Sequence, residues 1–473
     1  MAVCIYSEGK WQSLAGKKIS KDGEWKSLGD FDKMKIGNSW HKLGFANTKT
    51  VDVPPVMQFR NGEEPTAGNK WYVTPNGSGD LSGSSWENAA SSDTLRTVVV
   101  NAVSGDAIYF SGGDYNFTVT IDNPSGVNLY GGFALDNLSW ENRNGFLHQT
   151  RITGKGFGTA TFIDGFVLMN QESFLHTLKN CIVIECADIQ IRETHENCLY
   201  RKCQIYPRDY AQSGNFVNFK DSFFSECEVE FIVEEDKVVG THSYNYAYSL
   251  DCQFYKCYIQ RISGSSEAWL LLSPTVGLSF VQCNIGGDLN AIPVSADIVD
   301  CKCSIINVSR GRVINSTADT SIGCSTACVI NSTSPVIGGN SITCVNSDTT
   351  GSSPDYTNSV SWNSGVVFNS NTCASSDYSS NGIVLGNDNL ITKFTNTGYY
   401  PARGVQDLGG CPCPFDDPDG YEAYVASFGD WHPLSDSVLV GRGGNVGGTD
   451  LDSVTRPDPA TIGCYEPRPQ ETE

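Results

Sequence analysis

The chain has 473 residues, past the size at which one compact core stops growing, so several modules or a repeat array are expected. With 53 acidic and 32 basic side chains the formal net charge is −21, a field that repels nucleic acid and anionic membrane surfaces and argues against both as partners. Its 48 glycines, low charge density and lack of sustained helical periodicity point to short strands and turns, and no apolar run approaches the ~20 residues of a membrane span.

The first residues, Met1 to Lys10, show no basic start followed by an apolar core, so no secretory signal is read there. Folding in a reducing cytoplasm is therefore expected, with the 18 cysteines as thiols. Three near-copies follow, centred on Trp11 with Leu14, Trp25 with Leu28, and Trp40 with Leu43, the tryptophans 14 and 15 residues apart. Each unit reads as a Gly-containing turn feeding a short strand, too small to bury a core alone. Residues 1–44 are thus either a small packed β-module or a docking module whose Trp and Leu side chains anchor a partner. Residues 45–69 are polar, carry Pro54, Pro55 and Pro65, and read as a linker. Order resumes at Trp71, and a short helix is predicted over Leu95–Ala102.

From about residue 70 to 400 the chain repeats itself. Cys-x-[Ile/Val] occurs at Cys181, Cys203, Cys227, Cys257, Cys283, Cys303 and Cys328, at intervals of 22, 24, 30, 26, 20 and 25. Such spacing means one supersecondary unit per repeat, stacked on its neighbours. In a strand, Cys and the residue two later share a face, so inward-facing pairs predict an all-β right-handed parallel β-helix with a structural ladder of buried thiols. An aromatic three residues before the cysteine also repeats, as in Tyr200, Phe224, Phe254 and Phe280. The odd offset requires a bend between the two if both point inward.

Candidate chemistry is sparse. Glu226, Glu228 and Glu230 alternate with Cys227 and Val229, so they read as three carboxylates on one outward face, catalytic only if one were held protonated beside another. Tyr244, Tyr246 and Tyr248 also alternate and read either as a sugar-binding face or as a structural ladder. His195, between Glu193 and Glu196, reads as a surface residue. The pairs Cys301/Cys303 and Cys411/Cys413 lack the matching spacing of a zinc ribbon. Asp416 to Gly420 lacks the ligand pattern of a calcium loop. No metal or cofactor is therefore expected.

The segment from Asp430 to Gly441, with Thr449–Asp452, Arg456 and Ile462–Glu466, closes the chain as a C-terminal module over residues 401–473. These residues, with Trp71–Ser91, Ser104–Tyr115, Val127–Ala134 and Thr161–Leu168, resemble bacterial surface β-helix proteins and their closing module of the choice-of-anchor Q type. The usual small-residue run is diverged at Val438–Gly443. The resemblance implies the right-handed parallel β-helix fold but no particular activity, because the fold serves binders, lyases and hydrolases alike. A leaderless β-helix with reduced cysteines and an N-terminal repeat resembles a phage fibre, tailspike-like or decoration protein. It would reside in the virion, bind other virion proteins through residues 1–44, and bind a host-surface polysaccharide or receptor, with association as a homo-trimer open. The alternatives are a polysaccharide depolymerase on the same fold and a bacterial cell-surface adhesin.

Overall fold

The computed structural model describes most of residues 50–349 and 411–467, short strands within 360–396, and the backbone of paired strands within residues 4–42. The chain divides into two units, Met1–Asp52 and Val53–Glu473. In the first, three antiparallel hairpins pair Cys4–Ser7 with Lys10–Ser13, Lys18–Lys21 with Glu24–Ser27, and Lys33–Ile36 with Ser39–Lys42. Trp11, Trp25 and Trp40 occupy the same register position in each, opposite Tyr6, Ser20 and Lys35. Leu14, Leu28 and Leu43 lie outside the described residues.

The second unit is the all-β parallel solenoid that the repeat spacing predicts. Strand follows strand in one large parallel sheet, each pairing with its counterpart one coil later. Between two strand faces the chain turns a tight corner, and the residues there explain the repeat. Glu185, Lys202, Glu226, Lys256, Gln282, Asp300 and Asn315 all adopt left-handed backbone, with φ of 49–54°. This is the bend that the odd aromatic-to-cysteine offset demands. The next residue is small and buried: Cys186, Cys203, Cys227, Cys257, Cys283, Cys301 and then Ser316.

Each of these side chains bridges two coils. Cys257 Sγ donates to Tyr255 O at 3.4 Å within its own coil and to Phe224 O at 3.6 Å in the coil before. Cys227, Cys283 and Cys301 repeat the pattern. Ser316 and Ser332 repeat it with hydroxyls. Burial raises the Cys227, Cys257 and Cys283 thiols well above their ordinary value, so they are small hydrophobes with a weak donor rather than nucleophiles.

Inside the corner stand two further columns. Tyr200, Phe224, Phe254 and Phe280 stack with ring centroids 4.7–5.1 Å apart, and Ile298, Val313 and Val329 continue the column. Ile205, Val229, Ile259 and Ile285 form the other. Truncating one of these rings to Ala would cost about 3–5 kcal/mol.

Three of the cysteines read as one ladder stand elsewhere. Cys181 sits at a second corner, next to Cys198 and after the left-handed Asn180. Cys303 continues the aliphatic column, opposite Ile285. Cys328 is on the outer face: it pairs with Arg312 while its neighbour Val329 points inward. The helix α1 (Leu95–Asn101) lies where the sequence predicts it and adds Leu95, Val98 and Val99 to the core that holds Ile108, Phe110 and Ile121. Solenoids need such a terminal cap.

Residues 53–64, within the stretch whose composition reads as a linker, lie along the solenoid. Met57 is buried, and Gln58 O and the Arg60 backbone bond to Asn197 and Asn180. The described part of the C-terminal module lies along an outer flank of the solenoid. Its helix α2 (Pro418–Ser427) starts at Asp417, whose carboxylate accepts from Gly420 N at 3.0 Å. Tyr421, Val425 and Phe428 with Leu439, Ile462 and Cys464 cover Val281, Val299, Ile314, Cys328 and Ile330.

Candidate functional site

The first coils build an aromatic outer face. Along each strand, inward apolar residues alternate with an outward tyrosine, and Tyr72, Tyr109 and Tyr130 fall in register in successive coils. Phe133, Trp140 and Phe162 join them, and the loop after the first strand brings in Trp86. That loop closes through Tyr72 N to Gly83 O and Gly83 N to Asn88 O. Gly83 takes φ 76° against Val98, where a Cβ would clash.

Tyr109, Phe133 and Trp140 are buried in this cluster, whereas Tyr72, Trp86, Leu138 and Phe162 are only half-buried. The rings of Tyr72 and Trp86 meet at 4.8 Å, and those of Trp86 and Phe133 at 5.3 Å. Glu64 stands at the edge, accepting from Lys70 Nζ at 2.6 Å and from Tyr109 Oη at 3.3 Å. Burial raises the pKa of Tyr72, so its phenol is a neutral donor at any working pH. Half-exposed rings beside a carboxylate, an ammonium and a phenol can stack on the apolar face of a sugar and bond its hydroxyls.

Below this face a polar spine holds the coils. Arg143 is buried among Phe59, Tyr130 and Trp140 and donates to Gly131 O at 2.7 Å and Asp164 O at 2.7 Å. Asp164, Asn180 and Asn197 bond in sequence at 2.8 and 2.7 Å. Arg60 pairs with the buried Asp221. Asp106 accepts from Asn69 N, Trp71 Nε1 and Val103 N at 2.7–3.1 Å.

Among the described residues, those singled out in the sequence do not converge. Glu226 occupies a left-handed corner and Glu228 the strand after it, so the three glutamates do not share one strand face. Glu228 joins an outward polar strip with Gln204, Tyr258, Asn284 and Lys302, and accepts from Gln204 Nε2 at 3.2 Å. The side chain of Glu230 lies outside the described residues, as do Tyr244, Tyr246 and the side chain of Tyr248. His195 is interior, not on the surface, packed edge-on to Phe219 and bonded through Nδ1 to Tyr200 Oη. Its strand alternation places it there with Leu178.

Asp416 pairs with Arg201 at 2.6 Å. Among the described residues no group of three or more potential ligands is placed to hold a metal ion. No described helix is long and apolar enough to cross a membrane.

The aromatic face was missed in the sequence because its rings come from six separate segments. The signal that would have found it is the tyrosine between two apolar residues in Trp71–Val73, Ile108–Phe110 and Leu129–Gly131.

No family model matches the chain, and no curated protein is similar to it in sequence. Among solved structures, the chain aligns with the crystal structure of pectate lyase Pel9A at 12% identity, over 85% of this chain and 97% of that one, with a TM-score of 0.17. A score of this size carries nothing from one chain to the other.

Proposed function

We propose that the chain is a glycan-binding fibre, tailspike-like or decoration protein of a virion, which contacts a host-surface polysaccharide through the aromatic face around Tyr72 and Trp86. The observation that carries the binding reading is that face: aromatic rings packed together outside the solenoid, with Tyr72, Trp86 and Phe162 half-buried at its surface and polar groups at the edge. The attachment reading is supported by the division into two units, because the second unit has its own core, helix, N-terminal segment and flank module.

Binding is tested by titrating purified host-surface polysaccharide into the protein and following tryptophan fluorescence. Trp86→Ala should weaken binding about tenfold, about 1.4 kcal/mol, with the β-sheet circular dichroism spectrum of the folded protein retained. Unchanged affinity sinks the assignment of the face. Release of reducing or unsaturated ends from the same polysaccharide would replace the binder by the depolymerase reading.

A further inference from the structure

Two cysteines face each other across the seam between the solenoid and its flank module. Cys328 is on the outer side of its strand, directly opposite Thr343 in the next coil. Cys464 arrives from the C-terminal module, and its backbone N donates to Thr343 Oγ1 at 3.1 Å. Both thiols are buried in the same apolar cluster, at 1% and 0% exposure. The neighbouring Cys464 thiol, and then burial, hold the Cys328 thiol well above its ordinary pKa.

The corner thiols make a useful contrast. They project side by side from parallel coils, and each is turned toward main-chain carbonyls. Parallel Cα–Cβ vectors do not reach the roughly 90° torsion of a disulfide, whereas side chains approaching from two different elements do.

We propose that Cys328 and Cys464 are a modification site, a latent disulfide that fastens the C-terminal module to the solenoid once the protein meets a disulfide oxidant. The co-reactant is a small disulfide such as oxidised glutathione. One cysteine, deprotonated as the seam opens, attacks it and releases one thiolate. The second cysteine then displaces the other from the mixed disulfide. Two protein thiols lose two electrons and two protons, and one disulfide becomes two thiols. Because neither sulfur is accessible in the closed seam, the rate follows opening of the module.

The test uses the full chain, kept native, with oxidised glutathione. Remaining thiols are then alkylated, and the non-reduced digest is read by mass spectrometry. The expected result is a peptide joining Cys328 to Cys464 as the dominant cross-link. A rise of several degrees in Tm should accompany it, reversed by dithiothreitol and absent in Cys464→Ser. Full recovery of free thiols, or cross-links spread over Cys203, Cys227, Cys257 and Cys283, overturns the proposal. So does a cross-link with no change in Tm.

Discussion

Asp106 shows how one side chain can tie an entry segment to a coil. Burial pushes its carboxyl pKa up, but the donors from Trp71, Asn69 and Val103 outweigh burial, and the net pKa is lowered. A depressed folded-state value stabilises the protein above the ordinary carboxylate pKa of about 4, and this contribution is lost as pH falls through the depressed value. Asp106→Asn should lower stability at pH 7 by about 1.5–3 kcal/mol and flatten the loss below pH 4, measured by melting at pH 7 and pH 3. Equal acid sensitivity in both proteins would assign that limb to other carboxylates. The sequence shows Asp106 only as an acid after a glycine. Its three donors come from residues 3 to 37 positions away, which no local pattern records.

At the scale of the element, the corner is the unit that repeats. A non-glycine residue in left-handed backbone costs of order 1 kcal/mol, and a β-branched one more. Glu226→Val should therefore destabilise by about 1–2 kcal/mol, whereas Glu226→Gly should melt at or above the parent temperature. Comparable losses in both variants would instead locate the energy in the carboxylate. The cysteine spacing made four corner positions legible, at Cys203, Cys227, Cys257 and Cys283. It failed where serine takes over at Ser316 and Ser332. It failed again at Cys328, because the strand Thr317–Ile330 ends in Ala327–Ile330 with every side chain buried. When both faces of a strand are covered, alternation no longer tells inside from outside. The N-terminal segment was illegible for a related reason, since much of what binds it to Asn180 and Asn197 is its own main chain.

For the whole molecule, the division at Asp52 makes a prediction about independence. Deleting residues 1–52 should leave the melting of the solenoid within about 1 °C of the parent, because the second unit has its own core and its own N-terminal cap helix. The same deletion should prevent incorporation into particles, read by blotting purified virions. Normal incorporation would refute attachment through the hairpins, and a large fall in melting temperature would refute the independence of the units. The repeat spacing showed the solenoid because every coil must solve the same stacking problem. The aromatic face repeats over only three coils and borrows Trp86 from a loop, so it has no period to detect.

The corner thiols and hydroxyls have one further consequence, for heredity. Each bonds only to its own coil and the one before, at separations that settle to 15–18 residues between Cys283 and Ser347. An in-frame genetic loss of Cys301–Asn315 would join Asp300 to Ser316 and leave the column unbroken, so such a chain could gain or shed whole coils by recombination. The flank module forbids it. That module holds Arg201 through Asp416, Arg310 through Thr449, and Thr343 through Cys464. It acts as a caliper with jaws set to a fixed number of coils. Coil number between Arg201 and Thr343 is thus expected to be inherited together with the module.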